Sequence, residues 1–195
     1  MAILSVTPPL RTRFHLKSSF WSWLVTFALL SSSGANLSAQ QISNEYQIKA
    51  AFLYNFTQFV EWPAGAFANA QSPLIIGVIG DDPFGSYLDD IVRGEKVNNH
   101  PLVVQRFHRV HEIKTCHVLF VSRSEASQIE QIFSTLSGRS ILTVGDFEGF
   151  ALRGGMIRFI MENKKIRFRI NVGVVKAAKL TISSKLLRAA EIINP

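Results

Sequence analysis

LIIGVIGDDPFGSYLDDIV, residues 74–92, is the stretch that decides the fold class. Its first six residues are apolar without alternation. That is the pattern of a strand buried on both faces, as in a parallel sheet. Gly80-Asp-Asp-Pro-Phe-Gly85 is turn chemistry. Pro83 suits a first helical turn, and Phe84, Tyr87, Leu88, Ile91 and Val92 continue a short helix to Gly94. Buried strand, tight turn and short helix form the repeating unit of an α/β domain.

The same unit recurs downstream. Leu102 to Phe107 reads as a second strand and His117 to Val121 as a third, apolar throughout its last four residues. A helix starting at Ser124 has Ala126, Ile129, Ile132, Phe133 and Leu136 as its core face, with Gly138 just past its end. Ile141 to Val144 is a fourth strand, ending in Gly145-Asp146. The alternation predicts a largely parallel sheet. The last third changes style. Met156 to Met161 and Ile166 to Ile170, joined by Glu162-Asn-Lys-Lys165, predict an antiparallel hairpin at a sheet edge. Ile166, Phe168 and Ile170 alternate with Arg167 and Arg169, as in a strand with one buried face. Asn171 to Ala178 and Ser184 to Ile193 read as two closing helices.

Upstream, EYQIKAAFLYNFTQFVEWP (residues 45–63) is an aromatic-rich helix with a hard stop. Asn44 is placed to cap it, with Gln47 in the capping-box position. Ile48, Ala51, Phe52, Phe56 and Phe59 fall at helical spacing, and Leu53, Tyr54 and Val60 widen the apolar face. Pro63 ends the helix, because the residue before a proline is pushed out of helical geometry. Trp62, at that breaking point, is expected to be partly exposed.

Residues 1–39 read as an export signal: Arg11, Arg13 and Lys17 precede an apolar core from Phe20 to Leu30, and cleavage after Ala35 or after Ala39 fits the small residues that follow. The apolar core is too short for a comfortable membrane span of roughly twenty residues. Residues 40–195 then form one α/β domain of about 156 residues. The leader holds three of the 21 basic residues and none of the 14 acidic ones, so the mature charge is about +4. So mild a charge on an exported chain does not argue for nucleic acid as a partner. Cys116 is the single cysteine, so no disulfide can form within one chain. It reads either as a small buried hydrophobe or as a redox-active or intermolecular thiol, and the second role needs exposure.

Few residues ask for chemistry. Ile76-Gly-Val-Ile-Gly80 lacks the spacing of a nucleotide-binding loop, and Asp81 and Asp82 would repel a phosphate placed beside them. His108, His111, Cys116 and His117 are spaced too irregularly for a zinc site, and alternation sends Cys116 and His117 to opposite faces of their strand. The pairs Asp81/Asp82 and Asp89/Asp90 are sequence neighbours, which do not face one substrate. No nucleophile elbow is present. The expectation is a protein without catalytic residues, metal or cofactor. The densest charge is the series Arg153, Arg158, Lys164, Lys165, Arg167 and Arg169. It reads as a solvated outer face that discourages edge pairing, or as an anion- or partner-binding surface, because alternate arginines fork onto carboxylates and phosphates. In the second reading the candidate residues are Arg158, Arg167 and Arg169, with Trp62 as a further contact.

Several segments together resemble the YfiR family of exported bacterial proteins. They are Tyr46-x-Ile-Lys-Ala-Ala-Phe-Leu-Tyr-Asn-Phe-x-x-Phe-Val-Glu-Trp-Pro63, Ile79-Gly-Asp-Asp-Pro-Phe84, Cys116-His-Val-Leu-Phe-Val121, Leu142-Thr-Val-Gly-Asp146, Gly154-Gly-Met-Ile157, Arg167-Phe-Arg-Ile-Asn171 and Ser184-Lys-Leu-Leu187. The resemblance implies a three-layer α/β/α sandwich and a periplasmic regulator without known catalysis. It implies a partner, the periplasmic sensory domain of an inner-membrane diguanylate cyclase, which the regulator holds inactive, so that cyclic-di-GMP and biofilm formation stay low. It also implies a homodimer and disulfide-dependent redox behaviour; with Cys116 alone, this chain departs from the second. The alternative expectation is a periplasmic module that binds a small molecule and serves a transporter or sensor kinase.

Overall fold

The structure is a computed structural model that describes the backbone of residues 33–193 and the side chains of residues 44–193. Most of the expected leader therefore lies outside the described residues. The chain divides into two compact units, Met1–Gln41 and Ile42–Pro195, and the second holds the sheet.

Among the described residues, fifteen α-helices and β-strands follow in order. They are α1 (Ser33–Phe59), β1 (Val60–Glu61), β2 (Leu74–Ile79), α2 (Ser86–Val92), β3 (Lys96–Val97), β4 (His100–Phe107), β5 (Val118–Val121), α3 (Ile129–Leu136) and β6 (Leu142–Gly145), then β7 (Ile157–Glu162), β8 (Lys165–Asn171), α4 (Val172–Ala177), β9 (Thr181–Ile182), α5 (Ser184–Arg188) and β10 (Glu191–Ile193). Eight strands make the main sheet in the order β10-β8-β7-β6-β5-β2-β4-β3. The run β4-β2-β5-β6-β7 is parallel throughout, as expected from unbroken apolar strands. All six residues of β2 and all four of β5 and of β6 are buried. A small antiparallel pair, β1 with β9, lies apart from the sheet and ties the end of α1 to the chain after α4.

Strand alternation sorts side chains into two cores. Leu74, Ile76 and Val78 of β2, with Val118 and Phe120 of β5, join Leu53 and Phe56 of α1 and Leu88 of α2 on one face. Ile79, Leu119 and Val121 meet Ile129, Ile132 and Leu136 of α3 on the other. Helices thus cover both faces of the central sheet, which is the three-layer α/β/α arrangement. Gly145 and Gly155 are obligatory small residues in the second layer: a Cβ on either would stand 2.6 Å or 2.2 Å from the Phe150 ring.

Five sequence expectations need correction. Pro63 does not end the first helix: α1 stops at Phe59, because Val60 and Glu61 pair with β9 as β1. Asn44 does not cap the first helix, because α1 runs on from Ser33. The buried face of that helix is rotated: Ile48 is 51% exposed, while Lys49, Ala50, Leu53, Phe56 and Thr57 are buried. A lysine in the inward stripe hides the true phase from an apolar count. The β7–β8 hairpin is not a sheet edge, since β10 pairs in parallel with β8 and takes the edge. Finally, Ser184 to Ile193 is not one helix. α5 stops at Arg188, and Glu191–Ile193 becomes β10, with Glu191 opposite Arg169.

Candidate functional site

In open parallel sheets, ligands sit in crevices beyond the carboxyl ends of the strands. Here that end is built from three sources. β5 runs out into Ser122-Arg123, and β6 runs out into Asp146. β7 registers with β6 only at Val144↔Ile157 and Gly145↔Arg158. Phe159, Ile160 and Met161 therefore project past the end of β6 and are paired only with β8 on their other side. The N-terminal turns of α1 within the second unit roof the space with Glu45, Tyr46 and Lys49. The result is a cavity of about 640 Å³ lined by these side chains, Arg123, Asp146 and Arg158 among them. That size falls in the usual range for small-molecule sites, roughly 300–1,000 Å³.

The polar groups of this cavity form an ordered set. Lys49 Nζ donates to Asp146 Oδ2 at 2.6 Å and also pairs with Glu45 at 2.5 Å. The Tyr46 hydroxyl donates to the same Asp146 oxygen at 2.8 Å, and the Lys49 ammonium lies 4.3 Å from the Tyr46 ring centre. Burial, then the Asp146 charge and that hydrogen bond, hold the Tyr46 phenol well above its ordinary pKa, so it stays a donor. Lys49 and Asp146 are nearly sealed from solvent, with side-chain exposures of 6% and 2%. Asp146 Oδ1 and Arg158 Nε are buried without a hydrogen-bond partner.

The rest of the basic series is largely spoken for. Arg153 forks onto Glu130 through Nε and Nη2, at 2.7 and 2.8 Å. Arg167 pairs with Glu162 at 2.7 Å, and Arg169 with Glu191 at 2.8 Å. Arg158, Arg167 and Arg169 do share the outer face of the hairpin, since Arg158 stands opposite Arg169 and Ile160 opposite Arg167. Only Arg158 of the three lines the cavity. Trp62 lies elsewhere. It is half-buried, its indole N–H donates to the His117 carbonyl at 3.2 Å, and it borders a separate cavity of about 360 Å³ with Phe67 and His100.

Cys116 and His117 face opposite sides, as alternation requires. The Cys116 thiol is buried in the second core and pushed up to about 12 by burial, so it presents no thiolate to solvent. His117 is buried on the other side. The Ile75 N–H donates to its Nδ1 at 3.0 Å, which leaves the proton on Nε2, 3.2 Å from the Ala66 carbonyl. Phe67 stacks between His117 and His100 at 4.4 and 3.8 Å. The acidic turn also has a structural role: Arg106 Nε donates to Asp82 at 2.7 Å, and its Nη atoms donate to Asp89 and to the Gly85 carbonyl. The Arg106 hydrogen bond holds the Asp89 carboxyl below its ordinary pKa. Among the described residues, no three His, Cys, Asp or Glu side chains converge as metal ligands.

Lys49, Asp146 and Tyr46 were not singled out by sequence reasoning. Their signal was present: a lysine at the phase of the buried helix face, and an aspartate closing an apolar strand. Neither is legible without knowing that the two ends meet.

No curated protein matches the chain. The model of the family described as YfiR/HmsC-like matches residues 46–191, from the cavity's Tyr46 to the edge strand, so the chain belongs to the YfiR/HmsC-like family.

Proposed function

We propose that this protein is an exported regulator that binds the periplasmic sensory domain of an inner-membrane diguanylate cyclase and holds the cyclase inactive. The observation that carries this reading is the family match across residues 46–191, nearly the whole sheet-bearing unit. Regulation of this kind is stoichiometric: the regulator binds one state of its partner better than the other and shifts the population. Among the described residues, no helix is long and apolar enough to cross a membrane. Residues 1–39 act as the export signal in this reading. Arg167, whose side chain is 61% exposed, is one of the basic side chains of the hairpin open to a partner.

Deletion of the gene tests the proposal. Cyclic-di-GMP and biofilm mass should rise, and crosslinking of the tagged protein in intact cells should recover a membrane protein with a cyclase domain. Unchanged cyclic-di-GMP together with recovery of no membrane partner would sink it.

A further inference from the structure

We propose that the cavity at the carboxyl ends of β5, β6 and β7 binds a small monocarboxylate that also carries hydroxyl groups, with Arg158 and Arg123 holding the carboxylate and Asp146 Oδ1 accepting from a hydroxyl. Charge fixes the first half of this assignment. The lining holds three cations, Lys49, Arg123 and Arg158, against two carboxylates, Glu45 and Asp146. Lys49 is committed to both carboxylates. The surplus is one positive charge on the arginine side, which a monoanion cancels. A guanidinium cannot shed its proton in a protein, so the buried, unpartnered Arg158 Nε can only be satisfied by an acceptor. Carboxylate geometry matches the guanidinium fork.

The second half rests on Asp146. Lys49 and Tyr46 both address Oδ2 and leave Oδ1 buried with no donor. A group beside the bound carboxylate must therefore offer a hydrogen. An amine would restore the positive surplus that the bound carboxylate cancels, whereas a hydroxyl would not. The overhanging edge of β7 supplies more hydrogen-bonding capacity. Beyond Arg158 its backbone has lost β6 as a partner, and Phe159 to Met161 form one wall of the space. A polyhydroxylated acid makes use of such an edge. This site is separate from the Trp62 cavity and does not depend on which protein the regulator binds.

The test uses the purified protein, D-gluconate as probe, and sorbitol, acetate and sodium chloride as controls at matched ionic strength. Thermal unfolding and titration calorimetry provide two readouts. Gluconate at about a hundred times its dissociation constant should raise Tm by about 5 °C or more, with one site per chain. Sorbitol lacks the charge and acetate lacks the hydroxyls, so each should shift Tm much less. Arg158→Gln should abolish the gluconate response and Arg123→Gln should weaken it, while Arg167→Gln, on the same hairpin but outside the cavity, should leave it intact. Circular dichroism checks that each variant is folded; should Arg158→Gln not fold, Arg123→Gln decides. A wild-type protein indifferent to gluconate, lactate and glucuronate overturns the proposal, as does an Arg158→Gln or Arg123→Gln protein that responds like wild type. Acetate equal to gluconate refutes the role given to Asp146.

Discussion

Replacing Lys49 by methionine keeps helix propensity and nearly keeps volume, so it isolates the charge. Lys49 is 4% exposed and lies 2.6 Å from an Asp146 carboxylate whose side chain is 2% exposed. Without the ammonium, that carboxylate keeps only the Tyr46 hydroxyl as a donor, because Oδ1 already has none. Glu45, at 30% side-chain exposure, can return to water. The loss is therefore that of one buried, uncompensated carboxylate, about 3–5 kcal/mol. With an m-value of about 2 kcal/mol/M, the urea midpoint should fall by about 2 M at pH 7, and Tm by roughly 6–20 °C. A second substitution, Asp146→Leu in the Lys49→Met background, should recover much of the loss, since a buried pair replaced by apolar groups is often nearly neutral. A Lys49→Met penalty under about 1 kcal/mol, or a double variant no more stable than Lys49→Met alone, would refute the reasoning and reduce Lys49 to a packing residue.

Two further outcomes follow from buried titratable groups. Burial holds the His117 pKa below its ordinary value against the Ala66 hydrogen bond, with His100 beyond Phe67 lowering it further. The unfolded chain thus takes up a proton near pH 6.5 that the folded chain refuses, and stability should be lost as pH drops below about 6.5, by at most about 1.4 kcal/mol per unit for this group. Urea unfolding at pH 7.5 and 5.5 measures it, and His117→Asn should flatten that part of the profile; an unchanged profile would contradict the assignment. The Cys116 thiol, raised to about 12 by burial, should resist a thiol reagent in the native protein and react fully in urea. Rapid labelling of native protein at pH 8 would show instead that the thiol is reachable and reopen a redox role.

How much of this could be read in advance depends on the range of the interactions. The parallel core was legible because β2, β5 and β6 are buried on both faces and so carry no polar interruption. The phase of α1 is hidden in the sequence because Lys49, a charged residue, occupies the buried stripe, which its pairing with Asp146, 97 residues away, makes tolerable. Ile48 was counted as core for the same reason and is half exposed. The closing helix was overextended, since Glu191 to Ile193 has no local signal for a strand; its extended form is set by pairing with β8. The hairpin arginines do share one face, yet Glu191 of β10 and Glu162 take up Arg169 and Arg167, and of the three only Arg158 lines the strand-end cavity.

Pattern within the chain is enough for what local physics decides: the α/β class, the strand-turn-helix unit at 74–92, the sites of the major strands, and the opposite facing of Cys116 and His117; the family rests on the resemblance of its segments and on the family match. Tertiary structure alone decided the rest. It set which strand takes the edge, which face of α1 turns inward, and that Glu45, Tyr46 and Lys49 meet Arg123, Asp146 and Arg158 across a cavity. The physical reason is that hydrophobic periodicity reports burial element by element, whereas a polar site is made of groups whose burial is tolerable only together. Each of those residues is unremarkable in the sequence, and the charge balance that defines the cavity exists only once the strand ends and the helix stand side by side.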